Sequence, residues 1–483
     1  MSEAWGWRWA GGGRAVRLMA GGEDACELTF GIPQAGEGMV FHEDDGEVSY
    51  AVGELGVRLS VRDALPDWMV ELAIDNHSAD VQAMPPLGMV VRVLPGWVGW
   101  SWTAESDGFV AVAPETGDQP ALLIRLRQGF LRASSPAPAF VPAGRRTEAL
   151  ELNMAAFFLG NPTGSLRPFS RHLTRLEFGT IDRIDQAREA MPAWVPDLIA
   201  RPGDIIRFDT PDQALVPGHG VTVTSDDIAG LVMGNAGHRE VAVHGARGVT
   251  RLRPTFEPEA GLLAAEAVSP LLGRRPGGLP TASGAVVAAA MARRLVADPN
   301  AALDWLEQED WLARGDQFAP LIALTVAVET HDEALGEAAL DALASRRFGA
   351  GDGLIASWAW MGGLQLGLAP LDLSAVLGKA STAAERWEAA LVGHAPEASY
   401  ATGTQALIRR LGADLPGAPI GLSVTDAGLA IALLRAVPES SALRPEAVAA
   451  SDKAAALLAA DYVDGLQPTY DGLAWLLWSE ALR

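Results

Sequence analysis

Cysteine occurs once in the 483 residues, as Cys26, so no internal disulfide framework and no cysteine-cluster metal site can form. Lysine is nearly as scarce: of 37 basic residues only Lys379 and Lys453 are lysines, which disfavours lysine-dependent covalent chemistry and reads as the arginine bias of a high-GC bacterial coding sequence. Positive charge is in deficit altogether, with 60 acids and a net charge of −23, and this acidic balance argues against nucleic acid or an anionic membrane as partner. Long apolar runs are missing too. Stretches such as GAVVAAAMA break within about ten residues, where a spanning helix needs roughly 20, and MSEAWGWRWAGGGRAVRLMA at the start has no apolar core for a signal peptide. Together these features predict a soluble, cytoplasmic protein. The eight histidines are scattered, only His238 and His244 are spaced to approach each other, and no metal site is expected. There is no Walker loop, complete GxGxxG after a strand, GxSxG or HExxH, and AGGGR near the start lacks the helix and acidic partner of a nucleotide site. No cofactor is expected.

What is present divides the chain. Up to about residue 181, short runs of alternating apolar and polar residues (AVRLMA, EVSYAV, WMVELAIDN, ALLIRLRQGFLRA) are separated by Gly, Pro, Asn and Asp, the pattern of a large antiparallel β-sandwich. The Asp75-Asn76-His77-Ser78 stretch before Pro85-Pro86 reads as a turn between two of its strands. Residues 182–196 read as a linker helix ended by prolines, and 197–257 return to alternation as a small β module, immunoglobulin-like in outline or the last strands of one larger sheet system. From 258 to 483 the chain becomes rich in alanine and leucine at helical spacing, with about eleven candidate helices. Several are apolar nearly all round and must be buried on more than one side, as in a helical ring or solenoid. The fold class is therefore multidomain, β followed by α.

The helix starts DGLIASWAWMGG (Asp352), DAGLAIALLRAV (Asp426) and DGLAWLLWSEAL (Asp471) repeat one design without a constant period. An aspartate there is a favoured N-cap, and in a helical ring it is also a carboxylate at the mouth of a cavity. Asp352 stands out because GAGDGLIASWAW combines a Gly-rich loop, an acid, and Trp358 and Trp360 at one helix start. The second candidate is DWLEQEDWLARGD, with Glu307, Glu309 and Asp310 between Trp305 and Trp311: the ingredients of paired-carboxyl glycoside chemistry, or a helix with Trp on one stripe and acids on the other. A third is PGWVGWSWTAESDGF, where Trp100 and Trp102 share one face of a strand and serve either as a sugar platform or as core.

The order of parts, a large sandwich, a helix-bearing linker and a helical ring, resembles carbohydrate-active enzymes that join a β-supersandwich to an α/α toroid, as certain glycoside hydrolases, phosphorylases and polysaccharide lyases do. That resemblance implies an enzyme, a glycoside hydrolase or a relative, acting on a glycoside or other hydroxylated substrate where sandwich meets toroid, with Asp352 and Glu309 as catalytic carboxyls and Trp358, Trp360, Trp100 and Trp102 as substrate-binding rings. No family motif transfers residue by residue. The alternatives are a non-catalytic intracellular scaffold whose helical ring and acidic surface engage a protein partner, and a toroid enclosing an apolar substrate in the manner of terpenoid cyclases, whose Asp-rich ionisation motifs are missing.

Overall fold

The computed structural model describes residues 5–10, 15–31, 42–44, 47–64, 67–84, 88–117, 119–133, 154–159, 164–209, 214–225, 229–245, 248–413, 415–466 and 470–480. Most of AGGGR and the Pro85-Pro86 turn lie outside them. The chain forms two compact units: residues 1–256 with 412–422, and residues 257–411 with 423–483.

The first unit is built on two antiparallel sheets. One has six strands, in the order Trp5–Ala10, Ala15–Ala20, Glu23–Gly31, Gly88–Val93, Met154–Phe158 and Arg132–Ala133. The other has nine, in the order Ala418–Pro419, Trp97–Thr103, Gly108–Pro114, Ala121–Gln128, Arg171–Ile181, Asp67–Asn76, Leu55–Ala64, Glu47–Val52 and His42–Asp44. The alternation read from the sequence is what sorts side chains between faces. Along Gly108–Pro114, Val110 and Val112 enter the core shared by the two sheets, while Phe109, Ala111 and Ala113 enter a second core on the opposite face. A strand buried on both faces is why this stretch, GFVAVAP, reads as continuously apolar.

The second core explains the small β module. Residues 199–256 form three three-stranded sheets. Ile206, Phe208, Val232, Val241, Val243, Leu252 and Phe256 from them pack in one cluster with Trp100, Trp102 and Leu123 of the nine-stranded sheet and with Ala187 of a 3-10 helix, Ile184–Ala190, which is shorter than the helix expected over 182–196. The module is thus a set of separate small sheets sharing a core with the large one. Where the module ends, the outer face turns charged within a single strand: Ala121 and Leu123 face the second core, and Arg125 and Arg127 continue that face as ligands of Glu177, the register partner of Arg125. Arg175 meets Glu71 and Arg171 meets Asp75 in the next pair of strands, again directly opposite each other. Each exposed pair contributes only about 0.2–1 kcal/mol. The row still accounts for arginine in strands, since its planar fork spans a carboxylate as Arg171 spans both oxygens of Asp75.

The second unit holds α1 (Ala260–Leu272), α2 (Thr281–Ala292), α3 (Pro299–Glu307), α4 (Ala319–Thr330), α5 (Glu333–Ser345), α6 (Asp352–Gln365), α7 (Leu373–Leu377), α8 (Ala383–Val392), α9 (Ala401–Arg410), α10 (Val424–Arg435), α11 (Arg444–Val463) and α12 (Asp471–Ser479). An inner row is formed by α10 on α12, α12 on α2, α2 on α4, α4 on α6 and α6 on α8. Outside it, α1 packs on α2, α5 on α4 and α6, and α11 on α10. Burial follows this layering: almost every residue of α2, α4 and α12 is buried, whereas α5 buries one stripe, Gly336, Ala339, Leu340 and Leu343. Helix starts are fixed by side-chain caps from Asp298, Asp332, Asp372, Thr382 and Ser423. The helix expected through DWLEQEDWLA is interrupted: α3 ends at Glu307, and Asp310 accepts the Ala313 amide to start a separate short turn. Residues 412–422 depart from the helical pattern altogether and belong to the first unit, where Ala418–Pro419 pairs with Trp97–Thr103. No described helix is long and apolar enough to cross a membrane.

Candidate functional site

The structure places the sequence's candidates in very different surroundings. Trp100 is 1% exposed and Trp102 5%, both inside the core beneath the small β module, with Trp102 tilted against Phe109 at 6.1 Å between ring centres. Trp97, three residues earlier, faces the other way and meets Trp5 edge-on at 5.5 Å in the sandwich core. The cluster PGWVGWSW therefore fills two cores from one strand.

Glu309 is held by Arg314, whose Nε donates to its Oε1 at 3.0 Å. The same guanidinium donates to the carbonyls of Leu279 and Pro276 and lies over the Trp311 ring, 4.7 Å from its centre. Trp305 and Trp311 donate their indole N–H groups to Arg274 and Leu306 carbonyls. Glu309, through Arg314, and Trp305 thus tie the end of α3 to residues 274–279.

Asp352 is different. It is the first residue of α6 and only 3% exposed. The residue before it, Gly351, has φ of 89°, and a Cβ there would meet Trp475, with Cζ2 at 2.6 Å. Only glycine fits, both for backbone and for space. Oδ2 of Asp352 accepts the Gly349 amide at 2.8 Å and lies 3.5 Å from Arg346 Nε. Oδ1 is buried with no hydrogen-bond partner. Burial holds this carboxyl above its ordinary range, against the opposing pull of Arg346 and the Gly349 amide; the nearby Glu385 adds to the rise.

The sequence did not single out Glu388 of α8, which completes the site. It is 3% exposed; its Oε2 accepts the Gly351 amide at 2.8 Å and its Oε1 the Gly353 amide at 2.7 Å. The start of α6 is thus satisfied from a neighbouring helix, because Gly351 has no side chain to do it. Desolvation pushes Glu388 up to about 7 in spite of these amides, with the charge of Asp352 adding to the rise. A signal was available: Glu388 shares a helical stripe with the buried Leu391 and Val392, which puts an acid on an apolar face.

Behind the loop is a group of rings. Trp475, fully buried, meets Phe318 at 4.7 Å and Trp358 at 6.0 Å, and Trp358 stacks on Trp478 at 5.7 Å. Trp358 belongs with this group, whereas Trp360, two residues and roughly 200° further round the helix, is half-buried on another face. The indole N–H groups of Trp358 and Trp475 have no hydrogen-bond partner. The other two repeated aspartates are not caps either: Asp426 is the third residue of α10, its amide held by the true cap Ser423, and Asp471 is the first residue of α12. Among the described residues no cluster of three His, Cys, Asp or Glu is arranged to hold a metal ion.

The sequence matches no protein-family profile and no curated protein. Among solved structures it is similar to one described as a polysaccharide lyase, with a TM-score of 0.53 over 92% of this chain and 76% of that one, at 11% identity. At that identity the likeness is one of fold alone.

Proposed function

We propose that the protein is a carbohydrate-active enzyme, acting on a glycoside or other hydroxylated substrate, in which Asp352 is the proton-transfer group. The observation that supports this most is the state of Asp352 itself: a carboxyl above its ordinary range, one oxygen fixed by an amide and the other unpartnered, at a glycine-lined helix start beside a cluster of indoles. Carboxyls tuned upward by burial are suited to exchanging a proton near neutral pH, whether with a glycosidic oxygen or with a carbon next to a carboxylate. The fold it shares with a polysaccharide lyase points the same way at the level of architecture. Trp358, with the half-buried Trp478 stacked on it, is the ring pair proposed to meet the sugar.

The experiment is a screen of oligosaccharides and polysaccharides for turnover, with new reducing ends reporting hydrolysis and new carbon–carbon double bonds reporting elimination. Any hit is repeated with Asp352→Asn and Glu309→Gln. Asparagine keeps the amide contact but cannot transfer the proton, so turnover should fall roughly 10²–10⁴-fold. Glu309→Gln, which weakens only the Arg314 pair, should leave turnover near wild type. A hit that survives Asp352→Asn at full rate removes Asp352 from the chemistry.

A second reading rests on the same geometry. Three of the four oxygens of Asp352 and Glu388 are taken by backbone amides, which is what a purely structural clasp requires. On that reading the protein is a scaffold whose acidic surface engages a protein partner, and the screen returns neither turnover nor thermal stabilisation by any sugar.

A further inference from the structure

Two acids from neighbouring helices grip a single five-residue stretch, 349–353. Glu388 reaches across from α8 and holds the amides of Gly351 and Gly353, with Leu354 contributing a further backbone contact. Asp352 turns back and holds the amide of Gly349. A Cβ at Gly353 would stand 2.9 Å from Glu388 Oε1, so the approach is possible only because that residue is glycine. The groups of opposite or like charge around the pair are few: Arg346 lies on the preceding segment, at 3.5 Å from Asp352, and Glu385 sits one turn before Glu388 on α8. The other helices reaching this loop, α10 and α12, present Leu429 and Trp475 to Gly351. Glu385 is itself occupied by the amides of Ser381 and Thr382, which hold it down at about 2 and keep it ionised. Among the described residues Arg346 is the cation paired with Asp352, and Asp352 Oδ1 has no hydrogen-bond partner. With one cation for two acids, the pair is short of one positive charge. A bare carboxylate oxygen buried without a donor is costly, and a proton is the smallest ligand that relieves it.

We infer that Glu388 is a proton-dependent clasp on the start of α6: while the Glu388–Asp352 pair carries a proton the Gly349–Gly353 turn is closed, and when the proton leaves the turn opens to water.

The sign follows from linkage. In the closed turn Glu388 sits at about 7 against an ordinary value of 4.5, and Asp352 is shifted in the same direction. A group raised in the closed state binds its proton there and releases it on opening, so closure is fully favoured below the ordinary value and is lost as pH rises through the raised one. Above that, both states are ionised and the loss levels off. The inference requires no enzymatic activity and stands whether or not the protein acts on sugars.

The test is amide hydrogen exchange on the whole protein from pH 5 to pH 8, corrected for intrinsic exchange. Protection at Gly351, Gly353 and Leu354 is expected to fall more than tenfold between pH 5 and 7 and then to level off, while amides in the middle of α10 keep theirs. In Glu388→Gln the fall should disappear at these three amides. Protection that is flat in wild type, or that falls equally along α10, or that still falls in Glu388→Gln, overturns the inference. Should Glu388→Gln fail to fold, the wild-type profile still tests the pair, because Glu388 and Asp352 are both shifted upward at this turn: a fall confined to the turn with a plateau above pH 7 supports the inference, and its absence overturns it.

Discussion

Trp475→Ala is expected to lower stability by about 3–5 kcal/mol, the range for removing a large buried aromatic ring. Trp475 is fully buried in α12, and its ring is met by Phe318 ahead of α4, by Trp358 on α6 and by the backbone of Gly351. Truncation therefore opens a void shared by three helices of the inner row, and those helices are themselves apolar on nearly all sides, so no polar chain or solvent can move in to fill it. Trp475→Phe should be much milder. It leaves most of the ring in place and deletes an indole N–H that is buried without an acceptor, a group whose desolvation costs about 1–3 kcal/mol on its own. Denaturant titration separates the two: the midpoint should drop sharply for alanine and little for phenylalanine, with the slope unchanged. Equal losses for both substitutions would mean that the N–H has a partner and that shape alone sets the cost.

The division of the chain into β and then α was legible because periodicity is a local property. A strand such as Ala15–Ala20 shows its buried face in AVRLMA itself, with Val16, Leu18 and Ala20 inside and Arg17 opposite Glu27 outside. Helices such as α2 and α4 announce their burial by lacking a polar face. What sequence could not supply was the second partner of each surface. Trp100 and Trp102 are written identically in a ring platform and in a core, and only the presence of Phe208, Val241 and Phe256 opposite them settles which. The return of residues 412–422 to the first unit is likewise a long-range pairing, and Ala418–Pro419 is too short a strand to carry a period of its own.

The site was half legible. Asp352 could be found because glycines, acid and tryptophans coincide in one stretch. The reason for the glycines could not: they read as flexibility, whereas Gly351 is held at positive φ against Trp475 and Gly353 admits a carboxylate from another helix. Glu388 lay 36 residues away from Asp352 and its role depends on how α8 packs on α6, a relation with no local trace except an acid on an apolar stripe. The bonds that hold the Gly351 and Gly353 amides thus come from a residue far from them in sequence.

Gly428→Ala provides a second large effect, and one whose sign runs against helix propensity. Alanine is favoured over glycine inside a helix by about 1 kcal/mol, so an open site should gain from the change. Gly261 in α1 is such a site, with nothing within 4 Å of where its Cβ would be, and Gly261→Ala is expected to stabilise by roughly 0.5–1 kcal/mol. Gly428 in α10 faces Gly472 at the start of α12, and a Cβ there would lie 2.6 Å from the Gly472 carbonyl oxygen and 2.7 Å from its Cα. These are backbone atoms and cannot turn aside as a side-chain end can. The reciprocal contact is as close, since a Cβ on Gly472 would stand 2.5 Å from the Val424 carbonyl oxygen. The two helices must therefore separate to admit either methyl, and overpacking of this kind costs about 1–3 kcal/mol and sometimes more, enough to reverse the propensity gain. Because one separation serves both substitutions, the double variant should lose clearly less than the sum of Gly428→Ala and Gly472→Ala. Chemical denaturation of the four proteins in this cycle, with Gly261→Ala beside them, measures each term; additivity of the pair, or a stabilising Gly428→Ala, would show that α10 and α12 do not meet through their glycines.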